Sequence, residues 1–83
     1  MNIKILGSGC AKCHALEKVV KEAVQGLQLE AEVEEVKDMK KIMDYNILMT
    51  PALVINEQVV SSGKTLTKSE ATQLLINAMD KLK

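Results

Sequence analysis

Ile3, Ile5 and Leu6 begin the apolar pattern, broken by Lys4 and closed by Gly7-Ser8-Gly9. A stretch of that length ending in a glycine turn predicts a first strand. The spacing then lengthens. Cys13, Leu16, Val20, Ala23, Val24 and Leu27 form one stripe of a helix over about residues 11–25, and Gly26 is the expected left-handed residue at its end. Leu29, Ala31 and Val33 alternate with Glu30, Glu32 and Glu34, as in a strand with one wet face. The glutamates from Glu30 to Glu35 read as a solvated face, and so much charge suits a sheet edge. Asp38 caps a short helix with Met39, Ile42 and Met43 on its apolar side and Asn46 as its stop. Thr50-Pro51 opens Ala52 to Ile55, an apolar run with the length of a strand buried on both faces. Asn56-Glu57-Gln58 turns the chain into Val59-Val60, and Ser61 to Lys64 reads as a loop. Thr67-Lys68-Ser69-Glu70 matches a capping box, and Ala71, Leu74, Leu75, Ala78, Met79 and Leu82 continue as a last helical stripe. Met39, Met43 and Met79 all read as core fillers. The predicted order is β-α-β-α-β-β-α, an α/β chain opening on a parallel β-α-β unit with a right-handed crossover.

Length and composition narrow this picture. Eighty-three residues hold one core, so residues 1–83 are expected to form a single domain. Eleven lysines balance eleven carboxylates, and Tyr45 is the only aromatic residue. Nucleic-acid binding calls for a basic excess and often for aromatic platforms, so no nucleic-acid partner is expected. The longest apolar run, Ala52 to Ile55, is too short to cross a bilayer, and Lys4 interrupts the N-terminal stretch where a signal peptide is continuously apolar. The expected protein is cytoplasmic, monomeric and without a membrane partner.

The chemistry lies where the first strand gives way to the first helix. The chain's two cysteines stand there as Cys10-Ala11-Lys12-Cys13. That spacing beside a β-α-β unit reads as a redox dithiol. Unpaired N–H groups and the positive end of the helix dipole favour a thiolate at such a place. Lys12 adds a positive charge close to both sulfurs, and His14 is a further candidate for tuning them. Cys10, on the turn, is expected to be the exposed nucleophile. Cys13, in line with Leu16 and Val20, is expected to face inward and to resolve a mixed disulfide formed at Cys10. Gly7 and Gly9 are expected to give the loop unusual dihedrals and room for a partner's backbone.

Together, Gly7-Ser8-Gly9-Cys10-Ala11-Lys12-Cys13 and Met49-Thr50-Pro51-Ala52-Leu53-Val54-Ile55 resemble the small thioredoxin-like proteins of the redox-active disulfide type. The resemblance covers nearly the whole chain. It implies a minimal thioredoxin-like fold, with a four-stranded mixed sheet in the order 2-1-3-4 flanked by three helices. The motif helix and the last helix would share one face, and the middle helix would lie on the other. It also implies a cis Thr50-Pro51 bond beside the dithiol, with Gly9, Ala11, Met49, Thr50 and Pro51 contacting substrate. X-Pro bonds are cis in only about 5–6% of folded cases, so that expectation comes from the resemblance alone. The implied function is thiol–disulfide oxidoreduction, an enzymatic electron transport between Cys10–Cys13 and a protein disulfide. A thioredoxin-reductase-type donor would supply the electrons.

The chain departs from better-known members in several places. Ala11-Lys12 replaces Gly-Pro between the cysteines, and Gly9 stands where a Trp is usual. Lys4 occupies the position of a buried carboxylate. Ser61-Ser62-Gly63-Lys64 replaces the Gly-Gly-acidic element of glutaredoxins, so glutathione is not implied.

Two other readings use the same sulfurs. Cys-x-x-Cys after a first strand also opens the ferredoxin-like copper-carrier fold, in which two thiolates hold Cu(I). Those chains usually carry Met where Ser8 stands, and they end on a strand. A soft-metal carrier and a redox-sensing module without turnover are the alternatives. A closed zinc site would need two more ligands, and His14 is the only histidine. Cys10-Ala11-Lys12-Cys13-His14 also matches a c-type haem string, but one aromatic residue offers a porphyrin little to pack on. No cofactor and no metal are expected.

Overall fold

The computed structural model describes residues 1–7, 11–47, 49–63 and 65–81. Strand β1 spans Asn2–Leu6, helix α1 Ala11–Gly26, strand β2 Glu32–Val36, helix α2 Met39–Met43, strand β3 Ala52–Ile55, strand β4 Gln58–Ser62 and helix α3 Lys68–Lys81. The strands form one sheet in the order β2-β1-β3-β4. β1 runs parallel to β2 and antiparallel to β3, and β3 and β4 form an antiparallel hairpin. This is the minimal thioredoxin-like α/β architecture, with the strand order and mixed pairing expected.

Strand alternation sorts the core into two layers. Ile3, Ile5, Leu53 and Ile55 face Leu16, Val20 and Ala23 of α1 and Ala71 and Leu75 of α3. Leu6, Ala52 and Val54 face the other way, against Val36 and Ile42. β3 therefore buries all four of its residues, which is why its sequence is a continuous apolar run rather than an alternation. β2 sits at the sheet edge, as its glutamates suggested.

Several local expectations hold in atomic detail. Asp38 accepts the Lys40 N–H at 2.9 Å and caps α2. Thr67 and Glu70 exchange side-chain hydrogen bonds with each other's backbone N–H, each at 3.1 Å, closing the capping box of α3. Asn46 takes a left-handed conformation (φ 56°) past the end of α2, and Asn56 and Glu57 do so in the hairpin turn.

Four expectations change. α1 runs through Gly26, and the left-handed residue is Gln28 (φ 53°). Leu29 N–H reaches Val24 O and Gln28 N–H reaches Gln25 O, each at 3.1 Å, in a Schellman closure. That ending packs Leu27 and Leu29 on the core, which a stop at Gly26 would forgo. Met39 and Met43 are 57% and 66% exposed rather than core fillers. Five residues of α2 aim only one side chain, Ile42, fully inward. β4 extends through Ser61 and Ser62, which pair with Leu53 and Ala52 past a bulge. Glu35 does not share the solvated face of Glu30, Glu32 and Glu34. It pairs with Ile5 and lies half-buried on the same side as Val33, because strand parity turns it toward α1. Leu82 and Lys64 lie outside the described residues. Among the described residues, no helix is long and apolar enough to cross a membrane.

Candidate redox site at the start of the first helix

α1 places its first turn beyond the C-terminal end of β1. Its stripe, Cys13-Leu16-Val20-Ala23, packs onto the sheet, so the helix phase that buries Leu16 also buries Cys13 completely. Ala11, Lys12 and His14 take the exposed positions of the same turn. The first turn carries no acidic side chain, so nothing there offsets the positive end of the helix dipole. Cys10 and Gly9, the predicted nucleophile and its neighbour, lie outside the described residues.

Gly7 links β1 to this turn, and its N–H donates to Val36 O at 3.0 Å. Its backbone is in the ordinary φ range, so the expected unusual dihedral is not its role. Its role is space. A Cβ at Gly7 would collide with Cys13 Sγ and come within 3.2 Å of Cys13 Cβ and 4.0 Å of Pro51 Cα. The sulfur of Cys13 is therefore seated on the backbone of residue 7, with Pro51 beside it.

The Thr50–Pro51 bond is cis. Pro51 is buried, whereas Thr50 and Met49 are exposed, Met49 by 62%. The end of β4 secures this segment. Gly63 N–H donates to Pro51 O at 2.8 Å, and Met49 lies over Gly63, where a Cβ would come 2.9 Å from Met49 Cβ and 3.1 Å from its sulfur. Gly63 has φ of 76°, so this position needs glycine for its dihedral as well as for its bareness. The signal for it in the sequence was Ser61-Ser62-Gly63 itself, which reads only as a loop until β4 is paired.

Lys4 stands on the opposite face of the sheet from Ile5. Its ammonium donates to Glu57 Oε1 at 2.8 Å and to Tyr45 Oη at 3.0 Å, and the Tyr45 hydroxyl donates to Glu57 Oε2 at 3.1 Å. This closed ring ties β1 to the loop after α2 and to the hairpin turn. Lys4 and then Tyr45 hold the Glu57 carboxyl below its ordinary value of 4.5, and the same bonds raise Lys4. A depressed carboxyl adds stability above its unfolded value and loses it as pH falls through the folded one. Thermal melts should therefore show wild type above Glu57→Gln at neutral pH, with the gap closing below about pH 4.5. The effect should be small, because Glu57 is largely exposed. A gap unchanged between pH 7 and 3 would refute this role.

His14 is brought beside Glu17, one turn along α1, and Glu35 of β2. The sequence pattern singled out no role for Glu17 and put Glu35 on the solvated strand face. The signals were the three-residue step from His14 to Glu17 and the parity that separates Glu35 from its neighbours. Lys21 donates to Glu17 Oε1 at 2.9 Å and so holds Glu17 below its ordinary value.

Residues 1–76 match the family profile described as Thioredoxin domain. The chain is 36% identical over 75 residues to a protein named Thioredoxin from Methanothermobacter thermautotrophicus, covering 90% of this chain and 97% of that one. It is 33% identical over 73 residues to a protein of the same name from Methanocaldococcus jannaschii, covering 88% and 84% respectively.

Proposed function

This chain belongs to the thioredoxin-domain family, and from that premise we propose that it is a thiol–disulfide oxidoreductase working through Cys10 and Cys13. The observation that carries the reading is the seat of Cys13: buried in the first turn of α1, against Gly7 and next to Pro51. A thiol so placed is out of reach of a bulky client, yet in sequence it stands only three residues from Cys10. It is suited to attack a neighbouring sulfur and to little else.

Reduction runs in two exchanges. The Cys10 thiolate attacks one sulfur of a client disulfide, forming a mixed disulfide and releasing the first client thiolate. The Cys13 thiolate then attacks the Cys10 sulfur, breaking the mixed disulfide and releasing the second client thiolate. Cys10–Cys13 is left oxidised, having given two electrons to the client. A dithiol or a reductase-type donor returns them. Lys12 and the N-terminal end of α1 favour the thiolate forms. Met49 and Thr50 provide the adjoining surface, with the buried Pro51 fixing the segment, and the backbone of the exposed Thr50 is available to pair with an extended client segment. The protein acts as a single cytoplasmic domain on protein disulfides.

Equilibration with a graded dithiol–disulfide buffer tests this directly. The fraction of protein with two alkylatable thiols should follow one two-electron transition, and the reduced form should turn over a protein disulfide with a coupled donor. A pair that stays reduced at every poise, or that is purified anaerobically with a stoichiometric ion on its sulfurs, would overturn the proposal.

A further inference from the structure

A second group of ligand-bearing side chains lies between α1 and β2 and includes neither cysteine. One ring nitrogen of His14 and one carboxylate oxygen each of Glu17 and Glu35 lie within 4.8 Å of one another. The trio draws on two elements. His14 and Glu17 are three residues apart and so neighbours on the helix surface. Glu35 comes from the edge strand, where its pairing with Ile5 directs it to the α1 side.

The burial of one oxygen on each half-buried carboxylate is the second observation. Glu17 Oε2 and Glu35 Oε1 are withdrawn from water and accept no hydrogen bond. The neighbouring lysines do not settle these atoms. Lys21 engages the other oxygen of Glu17, and Lys37 makes only a long ion pair with Glu35 Oε1, 4.0 Å apart and beyond hydrogen-bonding distance. Two close carboxylates, each with a desolvated oxygen that accepts no hydrogen bond, are unfavourable unless a proton or a positive charge lies between them. His14 at the exposed rim adds a nitrogen donor beside the two oxygen donors.

We propose that His14, Glu17 and Glu35 form a binding site for a borderline divalent transition-metal ion of the Zn2+ type. One nitrogen and two carboxylate oxygens are a ligand set such ions accept, and three protein ligands leave further positions to water. Ligands about 2.1 Å from one ion stand about 3–3.5 Å apart, so rotation of the exposed His14 ring, with small shifts of the carboxylates, closes the trio. The bound ion neutralises the two buried oxygens and pins the edge strand to the motif helix. The site is independent of the dithiol and would exist whether or not Cys10 and Cys13 exchange disulfides.

The test uses a protein with Cys10→Ser and Cys13→Ser, so that no thiolate competes, alongside wild type. Zn2+ is titrated by calorimetry while the His14 ring resonances are followed by NMR. The proposal expects one ion per chain, saturable shifts of the His14 ring and a raised melting temperature. His14→Ala and Glu35→Gln should each weaken binding by at least about tenfold with the fold intact by circular dichroism. His14 is exposed, so its variant decides the matter if Glu35→Gln fails to fold. Absence of saturable binding, or binding of equal affinity after His14→Ala, would overturn the site. So would a Zn2+-silent protein in which the two carboxylates simply share one titrating proton.

Discussion

Cys13→Ser should leave the protein covalently joined to its clients, whereas Cys10→Ser should capture none. The asymmetry follows from what each sulfur can reach. Cys13 is fully buried, its sulfur against Gly7, so a client disulfide cannot approach it and only a sulfur close to it along the chain can. Without Cys13, the mixed disulfide at Cys10 has no internal thiol to break it and persists until an external thiol does. Without Cys10, no first bond forms. Turnover of a protein disulfide should fall in both variants to the rate of the reductant alone. Non-reducing electrophoresis of each variant after exposure to oxidised client proteins reads the difference. Equal capture by both, or capture by Cys10→Ser only, would reverse the assigned roles. The hydroxyl in Cys13→Ser is close in size to the thiol, so the buried position keeps its packing and the comparison concerns chemistry rather than folding.

Gly7→Ala should destabilise the protein by about 1–3 kcal/mol, the range for forcing an extra group into a packed interior. For a chain of this length that corresponds to a fall in melting temperature of about 4–8 °C per kcal/mol. The added Cβ collides with Cys13 Sγ, and the sulfur has little room to retreat because Cys13 is completely buried. Either β1 ends in a different place or the first turn of α1 lifts away. Both displace the resolving thiol, so disulfide turnover should drop along with stability. A double-mutant cycle isolates the cause. Adding Cys13→Ala removes the sulfur, so Gly7→Ala should cost much less in that background. If the cost is the same with and without the sulfur, the collision is not its origin.

Much of this was legible in order along the chain. The change from period two to period three-and-four at Gly7 marks strand and helix, and the capping residues Asp38 and Thr67 with Glu70 set helix starts through bonds of only two or three residues' reach. The inward placement of Cys13 follows from its phase with Leu16 and Val20. The boundaries that shifted are those where a distant contact decides. α1 runs through Gly26 because the Leu29 N–H closes on Val24 O beyond it with Leu27 and Leu29 on the core, and β4 continues through Ser62 because β3 offers Leu53 and Ala52 as partners.

The site divides in the same way. Local spacing alone puts Cys13 in the first turn of a helix, three residues after Cys10 in sequence, and a proline before the buried strand, since those are relations between near neighbours in the chain. Other features come from residues far apart in sequence. The sulfur resting on Gly7 beside Pro51, Met49 lying on Gly63, Lys4 joined to Tyr45 and Glu57, and Glu35 turned toward His14 and Glu17 all depend on strand register and helix packing. Periodicity reports which way a side chain faces, but only the assembled sheet decides what it meets there.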